Sequence, residues 1–138
     1  MKSIFSLILI LLISELVFGQ IKIIKATSQR TFAGIGGIFM NYNIEFKNKK
    51  SVQVEVDSVK SIADTSAVKF YFKKKEKKFY EIHFGQLLSQ PEKCRTCPDI
   101  NLKIFDLTKG VIIYYRKGEE KSFFKVTKFR QLPDIKAP

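Results

Sequence analysis

The chain has no tryptophan, one histidine (His83), two cysteines (Cys94 and Cys97) and, after Met1, one methionine (Met40). Each scarcity closes off a chemistry. A general base needs an orienting partner and a nucleophile within reach, and no serine or aspartate signature surrounds His83. Two cysteines and one histidine fall short of the four ligands of an ordinary zinc site. A single methionine is no sulfur-rich set for copper. Acidic residues are also few, 13 against 25 lysines and arginines. Glu119 and Glu120 are adjacent, so on a strand they face opposite ways, and Asp57, Asp64, Asp99 and Asp106 are scattered. No catalytic activity, cofactor or metal is expected. Beyond residue 19, helical periodicity is absent as well. The nearest candidate, GQLLSQPEK, is too short and is stopped by Pro91.

What is present begins with MKSIFSLILILLISELVFGQ. Lys2 precedes an apolar run from Ile4 to Ile13, and Val17, Phe18 and Gly19 lead to Gln20, the pattern of a signal helix with its cleavage site. A membrane-spanning helix needs about 20 apolar residues, and this run ends sooner, at Ser14-Glu15. The reading is a cleaved signal peptide over residues 1–19 and a single β domain over 20–138, delivered to the periplasm or secreted. Disulfides persist in such compartments. The leader holds one lysine and one glutamate, so residues 20–138 keep the net charge of +12. Such a surface attracts anions. Its basic residues are spread along the chain, so nucleic acid is not the expected partner.

After the leader, short runs of alternating hydrophobicity recur between turn signals. IKIIKAT (21–27) opens the domain, and QRTFAGIGGIF reads as a glycine-rich connection. NYNIEF places Tyr42, Ile44 and Phe46 on one face. SVQVEVDSV places Val52, Val54 and Val56 inward and Gln53, Glu55 and Asp57 outward. SIADTS is a polar loop. AVKFYF aligns Val68, Phe70 and Phe72, FYEIHF aligns Tyr80, Ile82 and Phe84, and the two flank KKKEKK as a hairpin. LKIFDL, VIIYYR and KSFFKVTKF follow, divided by Thr108-Lys109-Gly110 and Lys117-Gly118. The tail RQLPDIKAP is expected to run irregularly. About eight strands, wet on one face, predict an all-β, antiparallel two-sheet sandwich, immunoglobulin-like or related. A small β-barrel is the alternative. The 13 phenylalanines predict an aromatic-rich core.

Three motifs bear on function. Cys94 and Cys97 lie between Pro91 and Pro98. A thioredoxin-type dithiol needs a helix behind it to favour the thiolate, and INLKIFDL reads as strand. Lys93 and Arg95 would still favour a thiolate, so redox or metal handling stays open beside a disulfide. A disulfide closing so small a loop contributes at most roughly 2 kcal/mol. GIGG (Gly34 to Gly37) lacks the following Gly-Lys-Ser/Thr of a phosphate loop and suits a strand connection. Lys73, Lys74, Lys75, Lys77 and Lys78 gather at the predicted hairpin. They read as a solvated, aggregation-resistant tip or as a site for anionic glycan or lipid, where each lysine near an anionic membrane is worth about 1 kcal/mol.

The stretches KATSQRTFAGIGGIFMNYNIEF and GVIIYYRKGEEKSFFKVTKFRQLPDIKAP, behind a signal ending VFGQ, resemble those of small uncharacterised exported β-proteins of Bacteroidetes. The resemblance implies export and a β fold and brings no activity or site. The expectation is a monomeric, exported binding or structural module, with a protein or other cell-envelope partner.

Overall fold

The computed structural model describes residues 21–33, 37–49, 52–89 and 105–136. The leader, Gly34 to Gly36, Cys94 and Cys97 lie outside the described residues. Ten strands are present among them: β1 (Ile21–Phe32), β2 (Ile38–Asn48), β3 (Val54–Ser61), β4 (Ala67–Val68), β5 (Phe70–Glu76), β6 (Phe79–Ser89), β7 (Val111–Lys117), β8 (Glu120–Val126), β9 (Arg130–Gln131) and β10 (Ile135–Lys136). They form two open sheets, a six-stranded one ordered β10-β1-β2-β6-β5, with β9 also on β1, and a four-stranded one ordered β4-β3-β7-β8. This is consistent with a β-sandwich. Among the described residues the two sheets are open, so the barrel alternative does not hold.

Alternation in the sequence sets which side chains meet between the sheets. Ile44 and Phe46 of β2, Tyr80, Ile82 and Phe84 of β6, Val54 and Val59 of β3, and Val111, Ile113 and Tyr115 of β7 are all buried in one core. Each large apolar side chain so removed from water contributes roughly 1.5–3 kcal/mol. The core is aromatic as well as aliphatic. Phe72 stacks on Tyr80 and Tyr80 on Phe46, with ring centroids 5.6 and 5.4 Å apart. Phe46 then reaches across to Phe124 of β8 at 5.2 Å. A second cluster sets Phe129 edge-on against Tyr42, which itself stacks on Phe84.

Five features depart from the sequence reading. β1 continues through QRTF to Phe32, pairing with β2 as far as Ile38, so the glycine-rich connection is shorter than expected. The valine alternation of β3 breaks at a bulge beside Asp57, so Val54 and Val59 are fully buried although their spacing is odd, while Val52 is exposed. AVKFYF is not one strand: Val68 pairs in the four-stranded sheet and Phe70 in the six-stranded one, so the chain changes layer at Lys69. Residues 85–89 extend β6, and Phe105–Leu107 form no strand.

The tail is also ordered rather than irregular, and it is the exception to the antiparallel expectation. Residues 127–129 carry the chain from β8 to the other sheet, and β9 and β10 then pair parallel to β1. Leu132 N–H donates to the Ser28 carbonyl at 2.8 Å, Gln29 donates to the Pro133 carbonyl at 3.0 Å, and Arg30 grips Asp134 at 2.8 Å. Pro133 fits here because an edge segment can forgo an N–H.

Candidate functional site

The lysine run lies on the β5–β6 hairpin, but only Lys77 and Lys78 form its turn. Lys73, Lys74 and Lys75 belong to β5, the edge strand of the six-stranded sheet among the described residues. Lys73 pairs in register with Glu81 and Lys74 with Tyr80, and Lys75 is the extra residue of a bulge before Glu76 meets Phe79. A charged, bulged edge strand is a poor template for pairing with another chain. The base of the turn is fixed by the buried Asn48, whose N–H donates to the Lys78 carbonyl at 2.9 Å and whose side-chain amide donates to the Val52 carbonyl at 2.8 Å.

The five lysines are not equivalent. Lys75 donates to Glu45 at 2.8 Å and lies 3.5 Å from Glu81. The hydrogen bond to Glu45 raises its pKa, and its charge is compensated. Lys78 reaches the Lys49 carbonyl at 3.4 Å. Lys73, Lys74 and Lys77 are exposed, and their side chains have no hydrogen-bond or ion-pair partner among the described residues. Lys74 pairs with the core-facing Tyr80 and so lies on the other face, whereas Lys73 and Lys77 share clefts with Phe79, whose ring is 36% exposed and has the Lys47 ammonium 5.4 Å from its centroid. Two shallow clefts meet at Glu76 and Phe79. One, of about 400 Å³, is also lined by Glu45, Lys73, Lys75 and Tyr80, and the other, of about 530 Å³, by Lys47, Lys77 and Lys78. An apolar floor under several ammonium groups suits an anion with an apolar portion.

Next to the clefts lies a polar patch around His83. His83 Nε2 is 3.0 Å from Glu81 Oε1. Glu81 is buried on the outward face of its sheet, under a layer of neighbouring side chains rather than in the core. Burial pushes its pKa up, but the charges of His83 and Lys75 and a hydrogen bond from Asn43 outweigh this and hold it below the usual range. The Asn43 side-chain oxygen is buried and has no partner of its own.

Two carboxylates that look scattered in sequence are brought together. Asp64 accepts hydrogen bonds from the backbone N–H groups of Ser66 and Asp106, at 2.9 and 3.2 Å. Asp106 accepts from the Thr108 hydroxyl at 2.6 Å and from its N–H at 3.1 Å, and its carbonyl accepts from the Ser61 hydroxyl. These bonds clasp the 61–66 loop to the 106–108 turn. Asp57 instead joins Glu55 on Arg116, at 2.8 and 3.1 Å. Glu119 and Glu120 are exposed at the β7–β8 turn. Among the described residues no three His, Cys, Asp or Glu side chains gather closely enough to hold a metal ion, and no helix is long and apolar enough to cross a membrane.

The exposed aromatic pair Tyr114 and Phe123, on the far sheet, had no place in the sequence reading. VIIYYR and KSFFKV are nearly continuous apolar runs, and only the register shows which ring of each faces out. No protein-family model matches the chain, and neither a curated protein nor a solved structure is similar enough to match it.

Proposed function

We propose that this protein is an exported binding module, an immunoglobulin-like or related sandwich whose lysine hairpin docks on an anionic component of the cell envelope. The observation that carries this reading is the placing of Lys73 and Lys77, whose side chains have no partner among the described residues, in the two clefts that share the exposed ring of Phe79. Solvated lysines already serve to protect an edge. An aromatic ring set among them adds an apolar contact that edge protection does not need. The leader pattern and the resemblance to exported β-proteins of Bacteroidetes support the compartment. A disulfide between Cys94 and Cys97 belongs to the same proposal, and mass spectrometry before and after reduction reads it as the gain of two hydrogens.

The test is co-sedimentation with vesicles containing phosphatidylglycerol and, separately, with lipopolysaccharide, over a series of salt concentrations. Binding is expected to fall with salt, to be lost in the triple variant Lys73→Gln, Lys74→Gln, Lys77→Gln, and to be weakened by Phe79→Ala alone. Retention on lipopolysaccharide alone assigns a glycan phosphate, and retention on both assigns phosphate in general. Binding that is indifferent to the triple substitution overturns the reading.

A further inference from the structure

A second surface lies on the outward face of the four-stranded sheet. Val111, Ile113 and Tyr115 point into the core, which turns Ile112, Tyr114 and Arg116 outward. Tyr114 pairs in register with Phe123 of β8. Their ring centroids are 6.1 Å apart with planes tilted by 50°. Phe123 is 56% exposed and Tyr114 36%. Lys60 holds its ammonium 5.5 Å from the Tyr114 centroid. Lys121 and Lys125 flank Phe123 two positions away on either side, opposite Arg116 and Ile112.

The charges on this face are unequal. Glu55 and Asp57, the carboxylates on the adjoining part of β3, are both held by Arg116. Lys60, Lys121 and Lys125 have no carboxylate partner among the described residues, and the Tyr114 hydroxyl has no hydrogen-bond partner there. An open aromatic ring, a free phenol and three uncompensated ammonium groups share one flat face.

We infer that this face binds an acidic polysaccharide, with the apolar face of a sugar ring on Phe123, sugar hydroxyls at the Tyr114 hydroxyl, and carboxylates at Lys60, Lys121 and Lys125. Aromatic side chains with a polar handle suit ligands that are apolar on one side and hydroxylated at the rim, and the cations supply charge complementarity. Two other occupants fit less well. A second copy added antiparallel to the β8 edge about Phe123 sets Lys121 against Lys125, and like charges directly opposite repel. A single-stranded nucleic acid needs a succession of rings for successive bases. Here Lys60 already sits against Tyr114, which leaves one open ring. This site is independent of the lysine hairpin.

The test titrates the full chain with oligogalacturonate, with uncharged oligogalactose and with an oligothymidylate. Oligogalacturonate is expected to bind, the neutral sugar to bind more weakly, and Phe123→Ala to reduce affinity for oligogalacturonate about tenfold. Tyr114→Phe and Lys125→Gln are expected to reduce it less, and the hairpin variant Lys73→Gln, Lys74→Gln, Lys77→Gln to leave it unchanged. Because the chain has no tryptophan, Phe123→Trp keeps a ring and adds a single indole reporter. Its emission is expected to change on oligogalacturonate, which preserves the test if Phe123→Ala fails to fold. Affinity that ignores position 123, a silent indole, no binding of oligogalacturonate, or tighter binding of oligothymidylate each overturns the inference.

Discussion

The backbone N–H of Val54, at the start of β3, donates a hydrogen bond to the phenolic oxygen of Tyr80 on β6, 3.2 Å away. Val54 is fully buried and Tyr80 is 2% exposed, so this bond joins the two sheets inside the core. It also explains a tyrosine among phenylalanines. Phenylalanine at this position would keep the stack on Phe46 and Phe72 and lose the acceptor. Tyr80→Phe is therefore expected to destabilise the fold by about 1–3 kcal/mol, the cost of an unsatisfied buried donor. Urea denaturation checks it, with a lower midpoint and an unchanged slope as the expected result.

Two glycines with positive φ give contrasting predictions. Gly110 (φ 89°) passes under the chain as it leaves β8, and a Cβ there would lie 2.0 Å from the Val126 carbonyl oxygen and 2.7 Å from the Thr127 Cα. Backbone cannot yield as a side chain does, so Gly110→Ala is expected to cost about 3 kcal/mol or more. Gly118 (φ 59°) has nothing within 4 Å of the same position. Gly118→Ala pays only for the left-handed backbone, roughly 1–2 kcal/mol. Thermal melting of the two variants side by side separates collision from conformation.

Acid is expected to loosen the clasp between the 61–66 loop and the 106–108 turn. The N–H groups of Ser66 and Asp106 hold the Asp64 carboxyl below its usual pKa, and the Thr108 hydroxyl and N–H do the same for Asp106. A carboxyl with a folded-state pKa below its unfolded value stabilises the fold above the unfolded value, near pH 4. That contribution is lost as pH falls through the folded-state value. Stability measured by urea unfolding is expected to drop below about pH 4, and Asp64→Asn is expected to flatten part of that drop.

Within the lysine run, binding and structural effects are expected to separate. Lys75→Gln removes the ammonium shared by Glu45 and the buried Glu81, which keeps His83, and is expected to lower stability only slightly. It is expected to have little effect on vesicle binding, because its charge is already compensated. Lys73→Gln and Lys77→Gln are each expected to weaken binding by about 1 kcal/mol at low salt and to leave stability alone. Single-variant sedimentation paired with melting curves distinguishes the two groups.

Local period and burial were legible in the sequence wherever the chain kept strict alternation. Ile44 and Phe46, and Tyr80, Ile82 and Phe84, are buried as their spacing predicts. What the sequence hid depends on partners far along the chain. The bulge at Asp57 reverses the parity of β3, and it shows only against Tyr115 and Tyr114 of β7. Val68 and Phe70 keep perfect alternation across a change of sheet, because period two carries no information about which neighbour a strand chooses. The hairpin lysines were visible as a run. That Lys75 is compensated while Lys73 is not depends on Glu45, 30 residues earlier than Lys75. Tyr114 and Phe123 were hidden for the opposite reason: side chains of similar character on both faces leave the outward ones unmarked.

The pairing of β9 and β10 with β1 has a consequence for the order of events during synthesis. Among the described residues, the side of β1 away from β2 acquires its cover from strands some 104 residues downstream, the separation of Gln29 from Pro133. Until they emerge, a nascent chain carries that flank bare, with its amides and carbonyls available to any extended neighbour. A chain truncated before Arg130 is therefore expected to expose that flank to pairing with another chain and to aggregate where the full chain does not.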